Sequence, residues 1–265
     1  MKLGIKAHWK DAEIMARYGT KLMEIHLEPE DLDKYMDKMK NTFSDISDNY
    51  GMEMVVHNSE YWFDGKHYHL VDLASSDEHQ RKKAIEYTRK ALDLADNVGA
   101  MYLVVHPGGV FPDEVDNEKL LVQLRNSLKE IQDNRILLEN MPWIYIMRSG
   151  EIWRSNIFID SEDFFELSEL LGGATLDICH AFLSKKQGGN EYVRAMKKSL
   201  GELIKHVHAS DARPPHHEGL QIGSGLVDFE VLKDFQVGII PEIINGHRNE
   251  GEGFGIALLR LKNLE

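Results

Sequence analysis

A single cysteine, Cys179, leaves no partner for an intramolecular disulfide in this 265-residue chain, and a reducing compartment suits it. Long apolar runs are missing too. No segment approaches the ~20 apolar residues that a bilayer crossing needs, and the opening "MKLGIKAHWKDAEIM" has no signal-like stretch, so a soluble cytoplasmic protein with no membrane partner is expected. Positive charge is short: 31 Lys and Arg stand against 44 Asp and Glu. The resulting net charge of -13 repels polyanions at long range, so a nucleic-acid partner is disfavoured unless a local basic patch escapes the average, and a small-molecule substrate is favoured. Low-complexity tracts, linkers and tandem repeats are absent. With 42% hydrophobic residues the chain can bury a large core, and one domain spanning 1–265 is expected; its oligomeric state stays open.

What is present is an alternation. Short β-branched runs, "KLGIKAH" (2–8), "LMEIHL" (22–27), "EMVVHN" (53–58), "MYLVVH" (101–106), "RILLEN" (135–140), "ATLDICH" (174–180), "HVHAS" (206–210) and "VGIIPEII" (237–244), read as eight strands. Amphipathic stretches lie between them. In "DEHQRKKAIEYTRKALDLADNVGA", Ala84, Ile85, Ala91, Leu92 and Ala95 recur at helical spacing, with an Asp near the start and Gly99 placed to end the helix. "EDLDKYMDKMKNTFSDISDNYG" and "SEDFFELSELLGG" open and stop alike. Strands apolar on both faces, each followed by a helix, predict a closed parallel (β/α)8 TIM barrel. The rival, a doubly wound open sheet, usually carries a glycine-rich phosphate turn after its first strand, and "KAHWKD" has none.

In such a barrel the C-terminal ends of the strands meet at one mouth. Here they deliver His8, His26, His57, His106, Glu139, Asp177 with His180, His208 with Asp211, and Glu242. A lone histidine such as that of "LVVHPGG" (103–109) reads most simply as a core residue bonded to a carbonyl; a series of them at successive strand ends reads as a cage. Imidazoles and carboxylates without thiolates suit a catalytic divalent ion such as zinc, manganese or cobalt, and do not suit a structural zinc site.

These motifs, in the order "VVHPGG", "LLEN", "LDICH", "HVHASD", "IGSGLVDF" and "PEI", resemble the xylose isomerase-like TIM barrels, a superfamily that also contains the apurinic endonuclease, endonuclease IV. The resemblance covers most of the chain. In the sugar isomerases and epimerases of the superfamily one ion is held by residues that match Glu139, Asp177, His208 and Glu242. In the endonuclease a trinuclear zinc cluster uses further ligands that match His57, His106, His180 and, more loosely, His217. There the pattern departs: the endonuclease has an Asp two residues before that last histidine, and this chain has Pro215.

The resemblance therefore implies a metal-dependent enzyme with two branches open. The preferred one is a sugar or sugar-phosphate isomerase or epimerase, supported by Glu24 and the acidic run after it. In that branch Glu139 and Glu242 remove and return a proton while touching the metal, His180 bonds a sugar hydroxyl, and an ene-diolate forms. Arg213 matches the epimerases' substrate-gripping arginine, and its planar fork suits a phosphate. The alternative is a zinc phosphodiesterase acting at abasic DNA; a third possibility is a binding barrel without turnover. His57, His106 and His217 count as substrate contacts if they hold no metal. Trp62, with its neighbours Tyr61, Phe63 and Tyr68, is a candidate stacking wall. His67, His69 and His79 are expected in solvent, Cys179 in the core, "NMPWIYIMRSGEIWRS" as a lid, and "GEGFG" as a turn or phosphate loop.

Overall fold

The computed structural model describes residues 1–184 and 188–264. Eight parallel strands form a nearly closed (β/α)8 barrel, as expected. The first, β1, runs in two segments, Lys2–Leu3 and Ile5–Ala7; the others are β2 Leu22–His26, β3 Glu53–His57, β4 Tyr102–Val105, β5 Ile136–Glu139, β6 Gly173–Asp177, β7 Ile204–Ala209 and β8 Gly238–Pro241. Neighbours pair in chain order. The seam is β1: Lys2–Leu3 pairs with β8 and Ile5–Ala7 with β2. Gly4 joins the two segments and donates its N–H to the Ile239 carbonyl at 2.9 Å. A Cβ there would lie 2.5 Å from Ile240 Cδ1 and 2.8 Å from the Leu22 carbonyl oxygen, so the seam closes only around glycine.

Helices flank the barrel at α1 Ala12–Ala16, α2 Asp31–Lys34, α3 Met36–Tyr50, α4 Glu78–Val98, α5 Asn117–Ile131, α6 Glu162–Leu167, α7 Ile178–Phe182, α8 Gly189–Leu200 and α9 Arg248–Lys262. The end signals of α4 act as read: the Asp77 side chain accepts from the His79 and Gln80 amides, and Gly99 takes φ 65°. Between β7 and β8 there is no α-helix. The chain instead makes a hairpin, Asp211–Arg213 with His217–Leu220, and a 3-10 turn at Phe229–Leu232. The first glycine of "GEGFG" (251–255) does set a turn, since Gly251 takes φ 85° in the non-helical break Asn249–Gly251 near the start of α9, and the rest continues as helix, where Gly255 packs against the Tyr18 ring. None of the described helices is long and apolar enough to cross a membrane.

The expectation that strands are apolar on both faces is wrong for one face. Because side chains alternate along a strand, Ile5, Ala7, Met23, Ile25, Met54, Val56, Leu103, Val105, Ile136, Leu138, Leu176 and Val207 all join the large buried cluster under the helices. The opposite parity faces the lumen. Its apolar content includes a small plug of Leu22, Val55, Val104 and Ile240, with Leu137 buried on the same face. Lys6, Glu24, His57, Glu139, Asp177, His206, His208 and Glu242 share that parity and stand above the plug.

Candidate metal centre

Glu139 ends β5 and is fully buried. Imidazoles from four other elements converge on its carboxylate: His57 Nε2 at 3.4 Å, His106 Nε2 at 3.5 Å, His180 Nδ1 at 3.2 Å and His208 Nδ1 at 3.2 Å. Glu242, just past β8, brings Oε2 to 3.4 Å from His208 Nδ1. Two groups of donor atoms result, each closed within 4.8 Å: Glu139, Asp177, His208 and Glu242, and on the other side His57, His106 and Glu139. Glu139 belongs to both.

Outer hydrogen bonds decide which ring nitrogen is free. His57 donates Nδ1–H to the Asn58 carbonyl at 2.9 Å, leaving Nε2 directed at Glu139. His208 donates Nε2–H to Glu24 at 2.8 Å, leaving Nδ1 as the free nitrogen, and Glu24 also accepts from His206 at 2.7 Å. Gly238 leaves room for the His206 ring, 3.3 Å from where a Cβ would stand. His180 donates Nδ1–H to the Asn140 carbonyl at 2.9 Å, so its Nε2 turns to Glu218, 3.6 Å away. Asn140 holds Asp177 in place by exchanging two bonds with its backbone. Such outer partners fix the tautomer and aim of a ligand.

Both oxygens of Glu139 and Nδ1 of His208 are buried without a hydrogen-bond partner. Burial of these groups 3.2 Å apart is tolerable only with a cation between them, either a proton on the imidazole or a metal ion. The residues present therefore fit a divalent ion, and the nitrogen and oxygen donors suit zinc, manganese or cobalt. Without an ion, burial pushes Asp177 up to about 6, helped by Glu139 and Glu242. Burial acts the same way on Glu139, but the surrounding imidazoles, His208 first, hold it well below the ordinary range.

Above the donors opens a cavity of about 830 Å³. His57, His106, Asp177, His180 and Glu242 line it. His8 and His26 reach it too, but His8 bonds Asp31 at 2.9 Å and His26 lies 3.5 Å from Glu28, away from Glu139. Cys179 is buried, as expected, against the Asp211 carbonyl.

Three residues expected at the site lie elsewhere. Arg213 is exposed and donates to the Ser224 carbonyl at 2.5 Å; His217 is exposed and stacks on His216 with centroids 4.8 Å apart. They are cross-strand partners, so the pleat turns both to solvent, and it turns the next residue, Glu218, into the cavity. Trp62 is buried in a separate hollow, stacked on His69 at 4.5 Å, so His69 is not free in solvent either. Asp211 accepts from the Ala212, Gly225 and Val227 amides and shapes the loop.

Residues that were not anticipated fill the cavity wall. Lys6 lies 3.2 Å from Glu24 and also bonds Glu242; burial opposes its charge, but these two carboxylates raise it well above the ordinary lysine value. Burial pushes Glu218 up to about 7. Glu60 accepts from the Tyr145 hydroxyl at 2.6 Å. The expected lid is a hairpin, Ile144–Ile146 with Ile152–Ser155, whose connecting Arg148 reaches Glu28 at 3.4 Å and the Tyr68 ring at 4.4 Å.

A parallel barrel whose strand ends gather carboxylates and imidazoles around one buried glutamate is a TIM barrel with a candidate metal site at its mouth. A model of the xylose isomerase-like TIM barrel matches residues 12–252, and the chain belongs to that family. Its relatives include the probable endonuclease 4 of Aquifex aeolicus (strain VF5), 28% identical over 222 residues that cover 72% of this chain and 73% of that protein. Further curated relatives are matched over 61% and 62% of their length. Among solved structures, a D-tagatose 3-epimerase-like protein aligns over 99% of both chains with TM-score 0.70 and 26% identity. Endonuclease IV from Thermus thermophilus shares the fold at TM-score 0.67 and 16% identity, over 99% of this chain and 100% of that one.

Proposed function

We propose that this protein is a divalent-metal-dependent isomerase or epimerase of a small polyhydroxylated sugar. One observation carries the reading: Glu139 and Glu242, from different strands, come to 3.2 and 3.4 Å from the same His208 nitrogen at the floor of a cavity lined by eight carboxylates and three cationic side chains. Two of those cations, Lys6 and Arg148, are already engaged by carboxylates. A polyanion meets repulsion there, while a neutral polyol finds hydrogen-bond acceptors on every side. The relative described as D-tagatose 3-epimerase-like supports this branch.

Glu139, Asp177, His208 and Glu242 would hold the ion. When bound, it polarises the sugar carbonyl and stabilises the negative charge that develops when the adjacent carbon loses its proton. Glu242 and Glu139 are the carboxylates assigned to taking and returning that proton. His180 and Glu218, facing each other at 3.6 Å, receive a sugar hydroxyl. Tyr145, held by Glu60, and the Arg148 turn limit access of water.

A second reading has its own support. His57, His106 and Glu139 form a further ligand group that shares Glu139, which is how a carboxylate bridges two ions in hydrolytic centres. Relatives named probable endonuclease 4 carry the same suggestion. The two readings part on one experiment: metal content of chain purified without chelator, measured beside turnover of a panel of ketoses and aldoses and incision of an abasic duplex. One tightly held ion with sugar turnover abolished by Glu242→Gln supports epimerisation. Two ions with incision abolished by Glu139→Gln, and no sugar turnover, replaces it with the hydrolytic reading. Tight sugar binding with neither activity leaves a binding barrel.

A further inference from the structure

The geometry points to Lys6 as a built-in cation of the centre: its ammonium stands where an additional ion would stand, and it thereby sets how tightly the neighbouring positions hold a divalent metal. The inference rests on the metal-binding part of the reading above and does not depend on which reaction follows.

Besides the two ligand groups around Glu139, a third group closes within 4.8 Å: Glu24, His57, His208 and Glu242. Both carboxylates of that group already carry a cation. Lys6 Nζ lies 3.2 Å from Glu24 Oε1 and bonds Glu242 Oε1. Glu24 has no exposed surface, and its other oxygen is fully used by His206 and His208. Lys6 is therefore the group that meets the remaining charge of a carboxylate that water cannot reach.

The position is dictated by the backbone. Lys6 pairs with Glu24 in the β1–β2 register, and Ile5 and Ala7 on either side are buried in the outer core, so the pleat sends Lys6 into the lumen. A slip of one residue would bury the ammonium under the helices. Lys10, at the rim of the same cavity, is exposed and has no such constraint.

Lys6 acts on an ion in two opposing ways. It holds one oxygen of Glu242, which leaves Oε2 turned to His208 and favours binding. It also keeps a positive charge beside a doubly charged ion in a lumen that excludes water, which disfavours binding. The second effect wins, because Coulomb repulsion scales with the ion's full charge and is poorly screened when buried, whereas Glu242 is still carried to the site by β8 when Lys6 is gone.

The test is competition between a chromogenic chelator and the full-length, metal-stripped chain for Zn²⁺ alone, with melting curves to establish folding. Lys6→Met is expected to bind Zn²⁺ at least about tenfold tighter than the parent. Lys6→Gln, which keeps a polar group near Glu24, is expected to tighten in the same direction and serves where Lys6→Met fails to fold. Lys6→Arg keeps the charge and should stay near the parent, as should Lys10→Met. Unchanged or weaker binding by folded Lys6→Met or Lys6→Gln overturns the inference, and so does Lys6→Arg tightening as much as Lys6→Met, since shape would then be the cause. A chain that binds no Zn²⁺ in any form overturns this and the metal reading together. Tightened binding without sugar turnover supports Lys6 and sinks the sugar reaction alone.

Discussion

The two faces of the same strands are built on opposite terms. The outer face meets the helices through residues such as Met23, Val56, Leu103 and Val207, each less than 1% exposed and each apolar. The lumen face has four apolar residues in its plug and then a layer of ionisable ones, also buried. Removal of apolar area from water stabilises the first; the second is tolerable only because imidazoles and Lys6 stand among the carboxylates and burial favours the neutral form of Asp177. Stability is thus concentrated outside the sheet and chemistry inside it, one residue apart along the chain.

That division can be broken from either side. The largest effect is expected from Phe43→Ala, which removes a fully buried ring of the outer cluster: unfolding free energy should fall by about 3–5 kcal/mol in urea titration, while Zn²⁺ affinity of the folded fraction stays unchanged. Next comes Asp72, a buried carboxylate outside the lumen that accepts from the backbone amides of Gly109 and Ala74. Burial pushes it up to about 6 from 3.8, so its contribution to stability is full below about 4 and lost as the pH rises through about 6. Stability should decline by at most about 3 kcal/mol over that window, and Asp72→Asn should flatten the decline.

In the lumen the balance reverses. Glu139→Gln should weaken Zn²⁺ binding by at least about 100-fold in chelator competition and abolish turnover, with a smaller change in metal-free melting than Phe43→Ala causes. Glu24→Gln, which touches no ion but holds His208, should weaken Zn²⁺ binding by about 10- to 100-fold. A lumen variant that melts early, or an outer variant that loses metal while folded, would show that the faces are coupled.

The barrel was readable because its strands end abruptly in His-Pro, Glu-Asn or Asp-Ile-Cys-His after β-branched runs, and because Asp77 and Gly99 bracket a helix by local chemistry alone. Glu139, Asp177, His208 and Glu242 stood out as strand-end residues, and they do converge. Lys6 and Glu24 escaped as lumen residues because the strands were read as uniformly apolar; counting parity back from His8 and His26 places both on the inner face. Arg213, His217 and Trp62 were misplaced for another reason. They sit in hairpins, where direction depends on cross-strand register, and neither the pairing of Arg213 with His217 nor that of Trp62 with His69 is written in a spacing. Glu218 was hidden by the same hairpin.

The sharing of Glu139 also bears on the order in which the molecule comes together. The donors that meet around it belong to β3 through β8, from residue 57 to residue 242, and no two successive strands supply a complete set. Closing such long loops costs chain entropy that local contacts cannot offset early, so the four-donor group of Glu139, Asp177, His208 and Glu242 does not exist until the last strand has docked, whereas His57, His106 and Glu139 need only β3 to β5. An ion taken up by the four-donor group would then arrive only after the barrel has closed, and its arrival, followed in time, would become a clock for that closure.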